Sequence, residues 1–400
     1  VLLAFWALGW YLMVERHGGQ SWQYFVNGSR WLFGTNLTGS PGDGGGLHLY
    51  ADHPDLQIGP VSFVVAALFS YLQYDHGRAI AEAVMSGIGL YVLILAGRSA
   101  STYLSGRGVD YRRLQVRVLL AGLAFIPMWV EVSVRFAHLD DVLALLFTAL
   151  AVRAFTQGRA NAVGLYLALA VDSKPWAVGF YALILGLPRR GWWRAIRVSL
   201  PVIALAWLPF FLGDLNTLTA AKFQIQNSPA SALRWLGVHD AGTPTWDRPA
   251  QTLLGLALGA LAVRRGRWQA VVLLGANARI ALDPSVYTYY TATVLLGTLL
   301  WDILGERRLV PLWSWLALAT LYGSIFVWQG HPQILGGLRL GFVAVSTAYV
   351  LFWPIREHRE QPTEPVLAPQ GGAKIWTLPS PAQRERRDAV APDAVPDEVR

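Results

Sequence analysis

The sequence predicts an all-α protein, a polytopic transmembrane helical bundle of about 12 spans with a long first external loop and an interfacial helix. Three observations carry that expectation. Of 400 residues, 54% are hydrophobic and only 14% charged, against roughly 25% charged in soluble domains. Apolar runs of span length recur from Val1 to Trp353, among them 79–97, 198–212, 311–328 and 334–353. Between the runs, arginines gather in alternate connections, at 98–117, 153–159, 189–197, 264–267 and 307–308.

Those clusters set the orientation. Basic loops stay in the cytoplasm because moving them across the bilayer is costly and opposed by the membrane potential. The five clusters hold 16 of the 26 Lys and Arg before the tail, on much the shorter set of loops. Spans that alternate around them begin and end inside. Residues 61–74 break the alternation, because counting them as a span would place the loop 98–117 outside. About 14 residues is short for a crossing and fits a re-entrant or interfacial helix. The first external loop then runs from 15 to 78, and a second long external segment covers 213–250. The first apolar run starts at Val1 without an initiator methionine, so the expectation is that the flank preceding that run is missing.

Residues 1–353 therefore read as a transmembrane domain and 354–400 as a disordered cytoplasmic tail. The tail carries eight prolines, seven basic and eight acidic residues and little apolar content. The net charge of +8 comes from the loops of the membrane domain, which argues for contact with membrane lipids and against nucleic acid. The absence of cysteine excludes disulfides, thiol catalysis and cysteine metal sites. No internal repeat is evident, which counts against transporter folds built from duplicated halves.

Function shows in the side that lacks arginine clusters. Seven of the eight histidines lie there (His17, His48, His53, His76, His138, His239 and His331), together with Asp52, Asp55, Asp140, Asp141, Asp172 and Asp283. A membrane chain that sorts titratable groups this way points to a site at its outer face. Four constellations stand out. In Gly44-Gly45-Gly46-Leu47-His48-Leu49-Tyr50-Ala51-Asp52-His53-Pro54-Asp55 a carboxylate at the bilayer rim can act as a general base, or merely cap the helix starting near Pro60. In His138-Leu139-Asp140-Asp141 two adjacent carboxylates at a span start can take a cation, a proton or a substrate hydroxyl, or cap a helix opening at Asp141. In Asp172-Ser173-Lys174-Pro175-Trp176 the ammonium is placed to hold a lipid phosphate, or to pair with Asp172. In the stretch 277–290, Arg279 lies about one helical turn from Asp283 and wants an anion, while three tyrosines form an interfacial belt.

This ordered set resembles the GT-C superfamily of membrane glycosyltransferases that use polyprenyl-phosphate sugars, over roughly residues 1–353. The stretch Trp22-Gln23-Tyr24-Phe25 through Gly34, then Leu49-Tyr50 and Gly59-Pro60, is similar to the family-87 α-mannosyltransferases of actinobacteria. His53-Pro54-Asp55 resembles the His-Pro-Asp-Glu motif of dolichol-linked mannosyltransferases, with Leu56 in place of the Glu. The chain departs from the family-87 pattern at Gln20 and Ser21, where an acidic residue is usual, and at Gly59-Pro60, where the second proline of the pattern's Pro-Pro is absent. The base therefore passes to the first loop, to Asp55 in preference to Asp52, with Asp140 and Asp141 as the other candidates. What the resemblance implies is an inverting glycosyltransferase of the bacterial plasma membrane. It would move mannose or arabinose from a polyprenyl-phosphate donor to a lipid or glycan acceptor at the outer face. His53, His138, Lys174, Arg279 and Tyr290 would contact substrate. No cofactor and no metal ligand set is assigned. The alternatives are a transporter or flippase of lipid-linked glycans, and a non-catalytic envelope-assembly protein that kept the fold.

Overall fold

The computed structural model describes residues 1–34, 45–105 and 109–353. The expected tail, 354–400, lies outside the described residues, as do 35–44 of the first loop. Among the described residues there is no strand, only an isolated antiparallel bridge between Gln226 and Gly242. The chain runs through α1 (Leu2–Val14), α2 (Trp22–Phe33), the short α3 (Leu49–Asp52), α4 (Pro60–Ser70), α5 (Tyr74–Leu104) and α6 (Tyr111–Val130). There follow α7 (Leu139–Thr156), α8 (Ala160–Ser173), α9 (Arg189–Gly213), α10 (Ala232–Trp235), α11 (Asp247–Arg264) and α12 (Val271–Leu282). The last are α13 (Thr291–Leu300), α14 (Leu312–Ala317), α15 (Ser324–Val327) and α16 (Pro332–Phe352).

Among the described residues, four segments are long and apolar enough to cross a membrane: Tyr74–Leu104, Tyr111–Arg135, Arg189–Gly213 and Pro332–Phe352. Helix α7 has 18 residues but carries Asp140, Asp141 and Arg153. Other apolar helices are shorter, and one of them, Pro175–Gly186, is wound as a 3₁₀-helix. At about 2.0 Å per residue its 12 residues reach ~24 Å, where an α-helix would reach ~18 Å. The expected segment 61–74 divides. Helix α4 ends at Ser70 after 11 residues and α5 begins at Tyr74, so α4 is ~16 Å long against a hydrocarbon core of ~30 Å.

Local chemistry explains the boundaries. Asp110 accepts the Arg112 amide at 2.8 Å and caps α6. Pro60 and Pro332 open α4 and α16, where a missing N–H costs nothing. Gly34 ends α2 at φ 64°, a left-handed conformation that glycine adopts without penalty. Helix α7 packs between α5 and α8, α8 against α9, and α12 against α11, α13 and α16. These antiparallel neighbours bring the start of α7, the end of α8 and the end of α12 to one end of the bundle.

The opposite end is where the arginine clusters lie, and they do more than mark a side. Arg265 donates to the Leu351 carbonyl (2.8 Å) and Arg267 to those of Val350 (2.6 Å) and Trp353 (2.7 Å), which satisfies the open C-terminus of α16. Buried Arg117 does the same for the π-turn Trp301–Gly305, reaching Glu306 O at 2.5 Å and Arg307 O at 3.0 Å. Arg117→Ala strands these carbonyls. It is expected to destabilise the protein by about 0.5–1.5 kcal/mol, the usual net worth of hydrogen bonds to part-buried acceptors. Thermal unfolding in detergent reads the loss, and Arg117→Lys should recover only part of it because an ammonium lacks the planar fork. An unchanged midpoint would remove the capping role.

Candidate functional site

The site is built on an irregular backbone. Helix α6 widens at its end into the π-turn Glu131–Arg135, and Ala137 then takes φ 49°, which a residue with a Cβ rarely adopts. The amides of Gly19, Gln20 and Ser21 donate to the carbonyls of Val134, Arg135 and Phe136 at 2.9–3.1 Å and hold this turn. Gln20 and Ser21, where the family-87 pattern has its acid, thus act here through their backbones. Glu131 braces the turn from behind. It accepts from Tyr322 Oη (2.7 Å) and Thr288 Oγ1 (3.1 Å) and lies 3.3 Å from Arg135. Thr288 precedes Tyr289, whose ring stacks on His138 with centroids 4.0 Å apart.

The turn delivers His138, Asp140 and Asp141 into the protein. Helix α7 starts at Leu139, so both aspartates lie in its first turn and neither is its side-chain cap. Both are buried. His138 Nδ1 bonds Asp140 Oδ1 at 2.9 Å and stands 3.2 Å from Asp141 Oδ2. Lys174, at the end of α8, places its ammonium on Asp140 Oδ2 and 3.8 Å from Asp141. The alternative pairing of Lys174 with Asp172 is not formed. Asp172 is buried nearby with neither oxygen hydrogen-bonded. From α12, Arg279 reaches Asp141 at 3.6 Å and Asp283 at 3.5 Å. Its guanidinium lies 4.4 Å from the Trp176 ring centroid and 4.0 Å from that of Tyr290, a sandwich that favours a planar cation.

Burial lowers the proton affinity of His138, but the charge and hydrogen bond of Asp140, with Asp141 beside it, outweigh this and raise its pKa overall. Burial raises that of Asp283, with Arg279 pulling partly back. Asp141 differs from Asp140. Asp140 is bound by Lys174, His138 and the Asp141 amide (2.8 Å). Asp141 is surrounded by cations and sealed from solvent, and the one donor within reach, His138 Nδ1 at 3.2 Å, is already engaged by Asp140. A carboxylate has about four acceptor sites, so Asp141 keeps capacity that a hydroxyl admitted to the site would fill.

Of the residues singled out in the sequence, the structure brings His138, Asp140, Asp141, Lys174, Arg279 and Tyr290 together. It does not bring in Asp52, Asp55 or His53. Asp52 and Asp55 are exposed, and among the described residues no hydrogen bond or ion pair joins either to this cluster. Neither caps α4, whose N-cap is Gly59. His53 stacks on Trp31, with centroids 3.9 Å apart. The first loop still touches the site through its backbone. The Gly59 amide donates to Ser173 O at 2.9 Å, and a Cβ at Gly59 would stand 2.1 Å from Asp172 O. That close approach leaves no room for a side chain at position 59.

Asp283, already noted in the sequence one turn from Arg279, belongs to the surroundings of the site, as do Tyr289 and Glu131. Asp283 had a signal, its i,i+4 spacing from Arg279 on the end of a helix. Arg339 had one too, as the lone charge on α16.

His138, Asp140 and Asp141 also have ligand atoms within 4.8 Å of one another, as a metal site needs. The ammonium of Lys174 and the guanidinium of Arg279 already stand against those carboxylates, where a divalent ion would have to displace them. The residues fit a carboxylate–cation site better than a metal centre. Compared with protein-family models, curated proteins and solved structures, the chain matches none.

Proposed function

We propose that this chain is an inverting membrane glycosyltransferase of the GT-C kind, moving a sugar from a polyprenyl-phosphate donor to an envelope glycolipid or glycan. The reading places about 12 crossings in a bacterial plasma membrane, the site at the outer face and residues 354–400 in the cytoplasm. One observation carries it. Two buried carboxylates and two buried cations, drawn from α7, the end of α8 and α12, converge beside the first loop's Gly59, and Asp141 keeps acceptor capacity that the cluster does not fill. Buried ionic groups at one end of an apolar bundle are costly and serve substrates or ions.

The chemistry divides between the two charges. The acceptor hydroxyl attacks the anomeric carbon as the bond from that carbon to the phosphate oxygen breaks. The hydroxyl proton passes to a carboxylate, and polyprenyl phosphate leaves with the bonding electrons. Asp141 fits the proton-accepting role, with Asp140 positioned behind it by Lys174 and His138. Arg279 fits the departing phosphate, whose charge grows in the transition state.

Incubation of the reconstituted protein with a polyprenyl-phosphate sugar and lipid acceptors tests the reading. Release of polyprenyl phosphate matched by glycosylated acceptor is expected. Movement of the intact lipid-linked sugar across the vesicle without release would make the protein a flippase instead. Topology is tested separately, since the chain has no cysteine. Single cysteines at Ser105 and Thr245 should label from inside and outside respectively, and labelling of both from one side would overturn the orientation.

A further inference from the structure

The least compensated buried cation in the described structure lies outside the residues used so far. Arg339 sits on α16, among Gly336, Gly337 and Phe342, and is 3% exposed. It makes no ion pair within 4.0 Å and no hydrogen bond among the described residues, and its Nη2 is sealed from solvent without an acceptor. Asp283 is the carboxylate that acts on it, from beyond ion-pair distance. That carboxylate is already divided between Arg279, 3.5 Å from its Oδ2, and the Ser285 amide, 3.0 Å from its Oδ1. Arg279 also has a nitrogen without an acceptor, Nη1, which lies in ion-pair range of Asp141 but beyond hydrogen-bond reach. Helices α12 and α16 are fastened side by side, with Asn277 Nδ2 donating to Ser346 Oγ (2.8 Å) and Thr347 Oγ1 (3.0 Å). Arg279 thus lies against Asp283 while Arg339 feels the same charge from farther off, and each guanidinium has a donor to spare.

An unpaired buried cation is expensive, and more so in an apolar helix of membrane length. A phosphate monoanion would satisfy both forks. Arg339 lies seven residues into α16, about 10 Å from its start, and the helix exposes Ile334, Val345 and Phe352 along its length. A phosphate that reaches this depth beside an apolar surface is one carried on an apolar chain. We infer that Arg339 and Arg279 together form an anion site at the α12–α16 junction that takes the phosphate group of a phosphorylated lipid. The inference rests on the reading above and sharpens it, because Lys174 is held by Asp140 and Asp141 and is not free for that phosphate.

The test uses the full chain in detergent with three probes, farnesyl phosphate, farnesol and sodium phosphate. Farnesyl phosphate should raise the thermal midpoint and quench tryptophan fluorescence, since Trp176 lies on Arg279. Farnesol and sodium phosphate should do neither at the same concentration. Arg339→Met should hold or raise the ligand-free midpoint, because it removes an uncompensated charge, and should weaken farnesyl phosphate binding about tenfold or more. Arg339→Lys should fall between. Farnesyl phosphate binding unchanged in Arg339→Met overturns the inference, and the transferase reading then stands or falls on sugar transfer alone. A ligand-free midpoint many degrees lower in Arg339→Met makes the residue structural and also overturns it. Equal protection by sodium phosphate makes the site one for a free ion and removes the lipid. If no probe binds the wild-type protein the anion site falls, and turnover of the sugar donor decides the transferase reading independently.

Discussion

Asp141→Asn is expected to cut sugar transfer by about 10²–10⁴-fold, the usual worth of a positioned general base, with the fold intact. The amide keeps the shape of the carboxylate and cannot take the acceptor proton. The choice of Asp141 over its neighbour comes from hydrogen bonding. Asp140 is committed to Lys174, His138 and the Asp141 amide, whereas Asp141 has only longer contacts, to the already engaged His138 Nδ1 (3.2 Å), Arg279 (3.6 Å) and Lys174 (3.8 Å). Asp140→Asn should also lower transfer, but together with stability, because it disturbs the ammonium that orients the site. Asp52 and Asp55 supply the contrast. Both are exposed on the first loop, so Asp52→Asn and Asp55→Asn are expected to change turnover by less than the Asp141 variant. Full transfer by Asp141→Asn alongside its loss in Asp55→Asn would return the base to the first loop, where the His-Pro-Asp resemblance had placed it.

How much of this was legible in the sequence depended on whether a signal was periodic or spatial. Composition marked an all-helical, apolar chain, because apolar runs and arginine clusters are local patterns. The split of 61–74 into α4 and the start of α5 was not legible, since a break at 71–73 carries no proline or glycine. Nor was the 3₁₀ winding of Pro175–Gly186, whose residues are equally apolar whichever helix they form. Of the site, Lys174 and Arg279 stood out as charges inside apolar surroundings, and His138, Asp140 and Asp141 as a run of titratable groups at a span edge. Their mutual partners were hidden, because Lys174 is 34 residues from Asp140 and only the antiparallel packing of α7 on α8 joins them. Asp172, two residues from Lys174, was the nearer partner in sequence, but a residue at that offset on a helix end points elsewhere. The first loop was legible in the sequence by its motif and not by its packing. Its carboxylates were conspicuous by motif, while its structural contribution runs through a backbone amide and a missing Cβ at Gly59.

Lys174→Met is expected to destabilise the protein by about 3–5 kcal/mol, the cost of stranding a buried carboxylate by removing its partner. The ammonium lies on Asp140, which is fully buried, and its own side chain is 11% exposed. Methionine keeps the length and apolar stem of lysine, so the loss reads the charge and not a cavity. The double variant Asp140→Asn with Lys174→Met should recover much of that stability, because neither charge is then left alone. The size of the recovery in a double-mutant cycle measures the coupling of the pair. Transfer should not recover with it. The double variant retains Asp141 and Arg279 but loses the ammonium that Asp141 faces at 3.8 Å and the carboxylate that orients His138. A stable but inactive double variant therefore separates holding the fold from carrying the reaction. If the double variant were stable and fully active, the Asp140–Lys174 pair would be a structural brace, and the reaction would rest on Asp141 and Arg279 without it. If Lys174→Met alone left stability unchanged, the ammonium would not be compensating Asp140 in the folded protein, and the arrangement of charges on which the proposed mechanism depends would be wrong.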